Sequence, residues 1–216
     1  MHPADCPAWE YSHHPAKDDV LPHRSREILV ELRANQMDHQ SVSQDTRAVH
    51  RQLFAELAPN ECDYYAGNYR GDDFRCLKYY NVMIPSDPRV GVDSAVVRHE
   101  LALLASDIDS LFASLDHLLA LPLSRVSKER KLLSVVDSVC GVFVEFLRIH
   151  PYANGNGHVA RFLIFAVLGR YGYWPKRWPL DERPPDPPYS RLISEYRDGN
   201  RDGFVRFVLM CILGEG

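Results

Sequence analysis

The sequence predicts a mostly helical protein folded as one domain, and three observations carry that prediction. Apolar residues recur at three- and four-residue intervals through most of the 216 residues, the period that buries one face of an α-helix. The stretch with strand-like composition, Tyr64 to Ile84, is short and interrupted by Gly and Asp, which fits turns and a small hairpin. No internal repeat divides the chain.

Taken in order, residues 1–22 are rich in Pro, His and Asp with no apolar period, and are expected to form a loosely ordered extension. Ser25 to Asn35 places Ile28, Leu29 and Leu32 on one face behind Ser25 as N-cap, a helix by period and start signal. A second helix is expected over 44–57. After Pro85 and Pro88, Asp93 or Ser94 caps a long helix to Leu119 with Val97, Leu101, Leu104, Ile108 and Leu111 inward. Another runs from Ser127 to Ile149, followed by helices at 157–171, about 188–198 and 203–213. The Pro-rich stretch 174–188 must be an irregular connection. The domain is therefore expected to span 23–213.

Composition narrows the function classes. A formal net charge of −4 offers no global basic field for nucleic acid or an anionic membrane surface. The best apolar run, Phe162 to Gly169, is too short to span a bilayer. Five scattered cysteines without CxxC spacing point to reduced thiols in a cytoplasm rather than to a disulfide framework, with export as an effector left open. His2, Cys6, His13, His14 and His23 fit no compact zinc module, and a solvated tail is the better reading of them.

The chemistry concentrates at residues 150–161, HPYANGNGHVAR. Gly155 and Gly157 let the main chain turn and approach a ligand closely. The helix that starts behind them points unpaired N–H groups and its positive dipole end into the loop, a phosphate site. His158 and Arg161 share a helical face near that end, and His150 closes the preceding helix. An imidazole is a suitable general base for a hydroxyl nucleophile, and a guanidinium suits a terminal phosphate.

These twelve residues resemble the signature of the Fic (Fic/Doc) family, HxFx[D/E]GNGRxxR. AGNYRGDDF at 66–74 is similar to the segment that opens Fic domains. YYNVMIPSDPRVG falls where the family has its β-hairpin flap, and 189–213 resembles its closing helices. The resemblance spans about 45–213. It implies an all-α, Fic-like helical domain with a small β-hairpin flap. It also implies transfer of AMP, or another NMP, from ATP or another nucleoside triphosphate to a Ser, Thr or Tyr hydroxyl of a target protein.

By position, the resemblance makes His150 the general base. The backbone of Asn154, Gly155, Asn156 and Gly157, with the Asn156 side chain, would hold the inner phosphates. Arg161 would hold the outer phosphate, and Tyr152 would anchor the loop in place of the motif's Phe. The flap, about 79–91 with Tyr80, Asn81, Val82, Met83 and Ile84, would dock the target by strand addition.

Two positions depart from the motif. Asn154 stands where a carboxylate carries Mg²⁺, and an amide oxygen is a poorer ligand for a hard cation. His158 stands where the motif has its first Arg, and only a protonated imidazole would restore that charge. An altered-donor enzyme or a non-catalytic nucleotide-binding or interaction module therefore remain alternatives. Many Fic proteins carry an inhibitory helix of pattern [S/T]xxxE[G/N]. Ser194 to Gly199 is a near match inside the closing helices, read as coincidence, which leaves room for a separate antitoxin-like inhibitory protein.

Overall fold

The structure, a computed structural model, describes residue 3, residues 5–84 and residues 87–214. Among them are eight α-helices: α1 (Lys17–Arg33), α2 (His39–Gln44), α3 (Arg47–Phe54), α4 (Val97–Ala120), α5 (Lys128–Ile149), α6 (Asn156–Arg170), α7 (Tyr189–Arg197) and α8 (Asp202–Leu213). α6 is the centre. Val159 through Leu168 are all buried, as expected of a helix apolar on every side. It packs against α5, α2 and α1, while α4 and α8 lie on α5. Among the described residues, no helix is long and apolar enough to cross a membrane.

Several helices start where their side chains dictate. Ser127 caps α5 by accepting from Arg130 N, and Asp93 accepts from Ala95 N in the 3₁₀ turn ahead of α4, the N-cap chemistry expected of Ser and Asp. The apolar stripe of α4 runs through Val97, Leu101, Leu104 and Ile108 and continues to Phe112 and Leu115.

The helix expected over 44–57 is instead two. Asp38 caps α2 through Ser41 N at 2.8 Å, Asp45 takes an extended conformation, and its carboxylate accepts from Arg47 N at 3.1 Å as α3 begins. α1 starts at Lys17 rather than at Ser25, which lies buried inside it. Asp18 and Asp19 in its first turn suit the dipole. Pro22 sits at the sixth helical position, where it forfeits one backbone bond without ending the helix.

Residues 5–22 are packed onto the domain rather than forming a loose extension. Trp9 is 3 % exposed; its indole N–H donates to Leu57 O at 2.9 Å and its ring stacks on Tyr65. Tyr65 Oη donates to Pro7 O. Cys6 is bonded to Cys76, so the expectation of reduced thiols holds for Cys62, Cys140 and Cys211 and fails for this pair. The argument from cysteine usage for a reducing compartment falls with it. His2 lies outside the described residues, among which no His, Cys, Asp or Glu cluster is placed to hold a metal.

No strand is present among the described residues. The flap stretch Tyr80 to Ile84 has no regular structure, and its residues 85 and 86 lie outside the described ones. Its two arms nevertheless meet. Gly91 has φ +89°, and a Cβ there would collide with Val82 O, so only glycine lets the arms close.

Candidate active site

Residues 150–155 join the end of α5 to the start of α6, and the side chains of Tyr152, Asn154 and Asn156 are all hydrogen-bonded within the protein. His150 caps α5 in the left-handed conformation, φ +53°, uncommon outside glycine, with its N–H on Phe146 O at 3.0 Å. Tyr152 is fully buried. Its hydroxyl meets Thr46 Oγ1 at 2.7 Å, and its ring stacks on His50 at 3.7 Å. The Asn156 carboxamide accepts from Tyr152 N and donates to Tyr152 O, both at 2.9 Å. The expected anchor thus sits in the core, whereas the Asn156 side chain staples the loop and is not aimed at a ligand. Gly155 is left-handed, and a Cβ on it would overlap the Phe54 ring.

The N–H groups of Asn156 and Gly157 head α6, where no preceding turn supplies acceptors. One turn on is Arg161, 3 % exposed. Its Nη2 donates to Leu180 O at 3.2 Å, while its Nε has no partner, and among the described residues no carboxylate pairs with it. His150, Gly157, Arg161 and Arg183 are shared by two adjoining cavities. One, of about 500 Å³, has Ile84, Val90, Leu147 and Ile193 among its walls. The other, of about 390 Å³, is walled by the loop together with Tyr11 and Lys17.

This geometry has relatives. The model of the Fic/DOC family matches residues 41–168, more than half of the chain. The chain belongs to the Fic/DOC family. It is 29 % identical over 86 residues to a protein adenylyltransferase Fic of Nematostella vectensis, covering 40 % of this chain and 19 % of that protein. A protein of the same name from Drosophila virilis is 33 % identical over 67 residues, covering 31 % and 13 %. The chain thus spans less than a fifth of the length of these curated relatives.

Within the Fic frame, the two variant positions have structural explanations. Asn154 Nδ2 donates to Trp9 O at 2.7 Å and to Glu10 Oε2 at 3.3 Å, and its Oδ1 accepts from Gly155 N at 2.8 Å. Both ends of the amide are in use, so the residues here do not fit a protein-held Mg²⁺. His158 Nε2 donates to Asp181 O at 3.0 Å, and Nδ1 faces the Tyr11 hydroxyl at 3.4 Å. Burial, aided by Arg161, pushes its pKa down to about 3. His158 is therefore neutral and bracketed between two segments, and the protonated phosphate ligand expected of it is not what the fold provides.

Burial and the Arg70 charge bring His150 down to about 4. The imidazole is therefore neutral, with a backbone hydrogen bond to Leu147 opposing the downward shift. Of the flap residues, Ile84 reaches the larger cavity and Met83 is exposed. Asn81 is spent on Ser94 N and Asp93, and the Tyr80 carbonyl on Arg70. Asp198, in the near match to an inhibitory pattern, pairs with Arg89 rather than Arg161.

Two residues that shape the site escaped the sequence reading. Arg70, fully buried, donates to the carbonyls of His150, Tyr80, Val92 and Ile149 at 2.7–3.1 Å, tying the flap to the end of α5. His50 accepts from Gly67 N at 2.9 Å through Nδ1 and so carries its proton on Nε2, which donates to Asn154 O at 3.0 Å. Burial lowers its pKa to about 3. Each lay in a segment with no local motif for that role.

Three neutral histidines make the fold acid-sensitive. His50, His150 and His158 have pKa values lowered to about 3, 4 and 3, so below about pH 6.5 the unfolded chain binds protons that the folded one does not. Their contribution is intact above that pH and is lost as pH falls toward 4, at up to ~1.4 kcal/mol per unit for each group. The urea midpoint should fall steeply between pH 6.5 and 4.5. An unchanged midpoint would show that these imidazoles are not held neutral.

Proposed function

We propose that the chain transfers a nucleoside monophosphate from a nucleoside triphosphate to a hydroxyl of a protein target. The observation that carries this reading is Arg161. A guanidinium buried without a carboxylate costs several kcal/mol, yet it stands open-handed on a cavity shared with the α6 N-terminus and His150. An anion completes it, and a helix N-terminus beside it favours phosphate.

His150 takes the proton of the target hydroxyl as its oxygen attacks the α-phosphorus. The bond from phosphorus to the β-bridging oxygen breaks, and pyrophosphate leaves. The loop N–H groups and Arg161 face the charge that grows on the phosphate oxygens. Phosphate beside His150 also offsets the Arg70 field that depresses it, so its basicity rises when the donor binds. Mg²⁺ accompanying the donor would neutralise phosphate charge, with no carboxylate of this loop to hold it.

Intact-mass spectrometry after incubation with each of the four nucleoside triphosphates tests the reading, using self-labelling in place of the target. A nucleoside-monophosphate adduct is expected on the wild type, and His150→Ala should lower its rate at least ~100-fold with no loss of melting temperature. An adduct of equal rate on His150→Ala would remove its role as base. A phosphate-sized adduct would assign the altered-donor reading instead.

A further inference from the structure

We propose that Lys17, on the segment ahead of the family-matched region, is a ligand for the outer phosphate of the donor, so that the N-terminal segment forms part of the nucleotide site. The inference rests on the transferase reading and adds a residue outside the matched span of 41–168.

The smaller cavity is where the segment and the loop meet. Tyr11 and Lys17 line it together with Gly155 to His158, Arg161 and Arg183. Lys17 lines the same cavity as Tyr11 and His158, the side chains that bridge segment and loop. Its ion partner is Asp18 at 2.7 Å, a neighbour 88 % exposed. Such a surface pair is worth little, and the ammonium can turn to a phosphate at small cost.

Carboxylates also border this space. Asp181 and Glu182 belong to its wall, and Arg183 shares its charge with Asp186 at 3.5 Å. Arg191 and Arg197 on the larger cavity are likewise paired, with Glu195 and Asp87, so the counter-charge left for a triphosphate is thin, and Asn154 provides no carboxylate for a metal. A second cation answers that deficit.

The segment is held for this purpose. Cys6 is bonded to Cys76, Trp9 is buried with its carbonyl on Asn154 Nδ2, and the Tyr11 hydroxyl faces His158. These contacts fix the origin of α1, and hence Lys17, relative to the loop. A donor lying with its nucleoside in the larger cavity and its phosphates across the shared His150, Gly157 and Arg161 ends in the smaller cavity, on Lys17.

Isothermal titration of the oxidised protein with inorganic tripolyphosphate and with orthophosphate tests this without reference to the base. Lys17→Met should weaken tripolyphosphate about tenfold and leave orthophosphate unchanged, and Lys17→Arg should restore it. Cys6→Ser, which frees the segment, should shift tripolyphosphate in the same direction. Equal tripolyphosphate affinity in wild type and Lys17→Met overturns the proposal. Loss of binding in Arg161→Met alone would leave the transferase reading standing and Lys17 outside it. Absence of tripolyphosphate binding to the wild type would overturn both.

Discussion

Arg161→Met is expected to abolish binding of nucleoside triphosphate while leaving the protein at least as stable as the wild type. Removing a buried charge that lacks a carboxylate relieves its desolvation, and an apolar chain of similar length fills the space. The loss is the hydrogen bond to Leu180 O and a side-chain hydrogen bond with Tyr189, each worth about 1 kcal/mol. For the phosphate the guanidinium offers charge-assisted bonds in a dry pocket, so affinity should fall at least ~100-fold, about 3 kcal/mol. Thermal unfolding and a binding titration on the same sample decide the matter. A drop in melting temperature with affinity retained would make Arg161 a structural residue and remove the main support for the transferase reading.

Arg70→Met should do the reverse. This guanidinium is also buried without an ion-pair partner, and burial lowers its pKa to about 10. Its donors, however, are committed to four main-chain carbonyls. Methionine leaves those carbonyls unpaired in the interior, at about 3–5 kcal/mol. At 2–4 °C per kcal/mol for a chain of this size, the melting temperature should drop by roughly 10 °C. Lysine should rescue it poorly, since an ammonium cannot reproduce the planar fork. A variant within a degree or two of wild type would mean the carbonyls find water instead. Two arginines of equal burial are thus told apart by where their donors point, at the protein or at a cavity.

That distinction marks the limit of what was legible in the sequence. The helices of 97–120 and 128–149 follow from apolar period and from Asp93 and Ser127 as start signals, because those forces act within a few residues. The same locality explains the loop: Gly155 and the head of α6 are adjacent in the chain, and so are His150 and the end of α5. The early start of α1 is obscured because its first turns show no apolar period and Ser25 offers a plausible cap, although the one bond lost to Pro22 is tolerable near a helix start. The break at Asp45 was obscured because a polar residue inside a helical period carries little weight by itself. Residues 5–16 looked loose because their anchors, Leu57, Tyr65 and Cys76, are far along the chain.

The helical class, the family loop and the pairing of His150 with Arg161 around it can be read along the chain, since each depends on spacing within one segment. What the variant residues do follows only from the folded chain. Asn154 faces Trp9 and Glu10 from 144 or more positions away, and His158 is held neutral between Tyr11 and Asp181. Burial and long-range partners set the protonation and hydrogen bonding of a side chain, and neither is written in its neighbours. The N-terminal segment, formless in composition, walls the cavity at the head of α6 for the same reason.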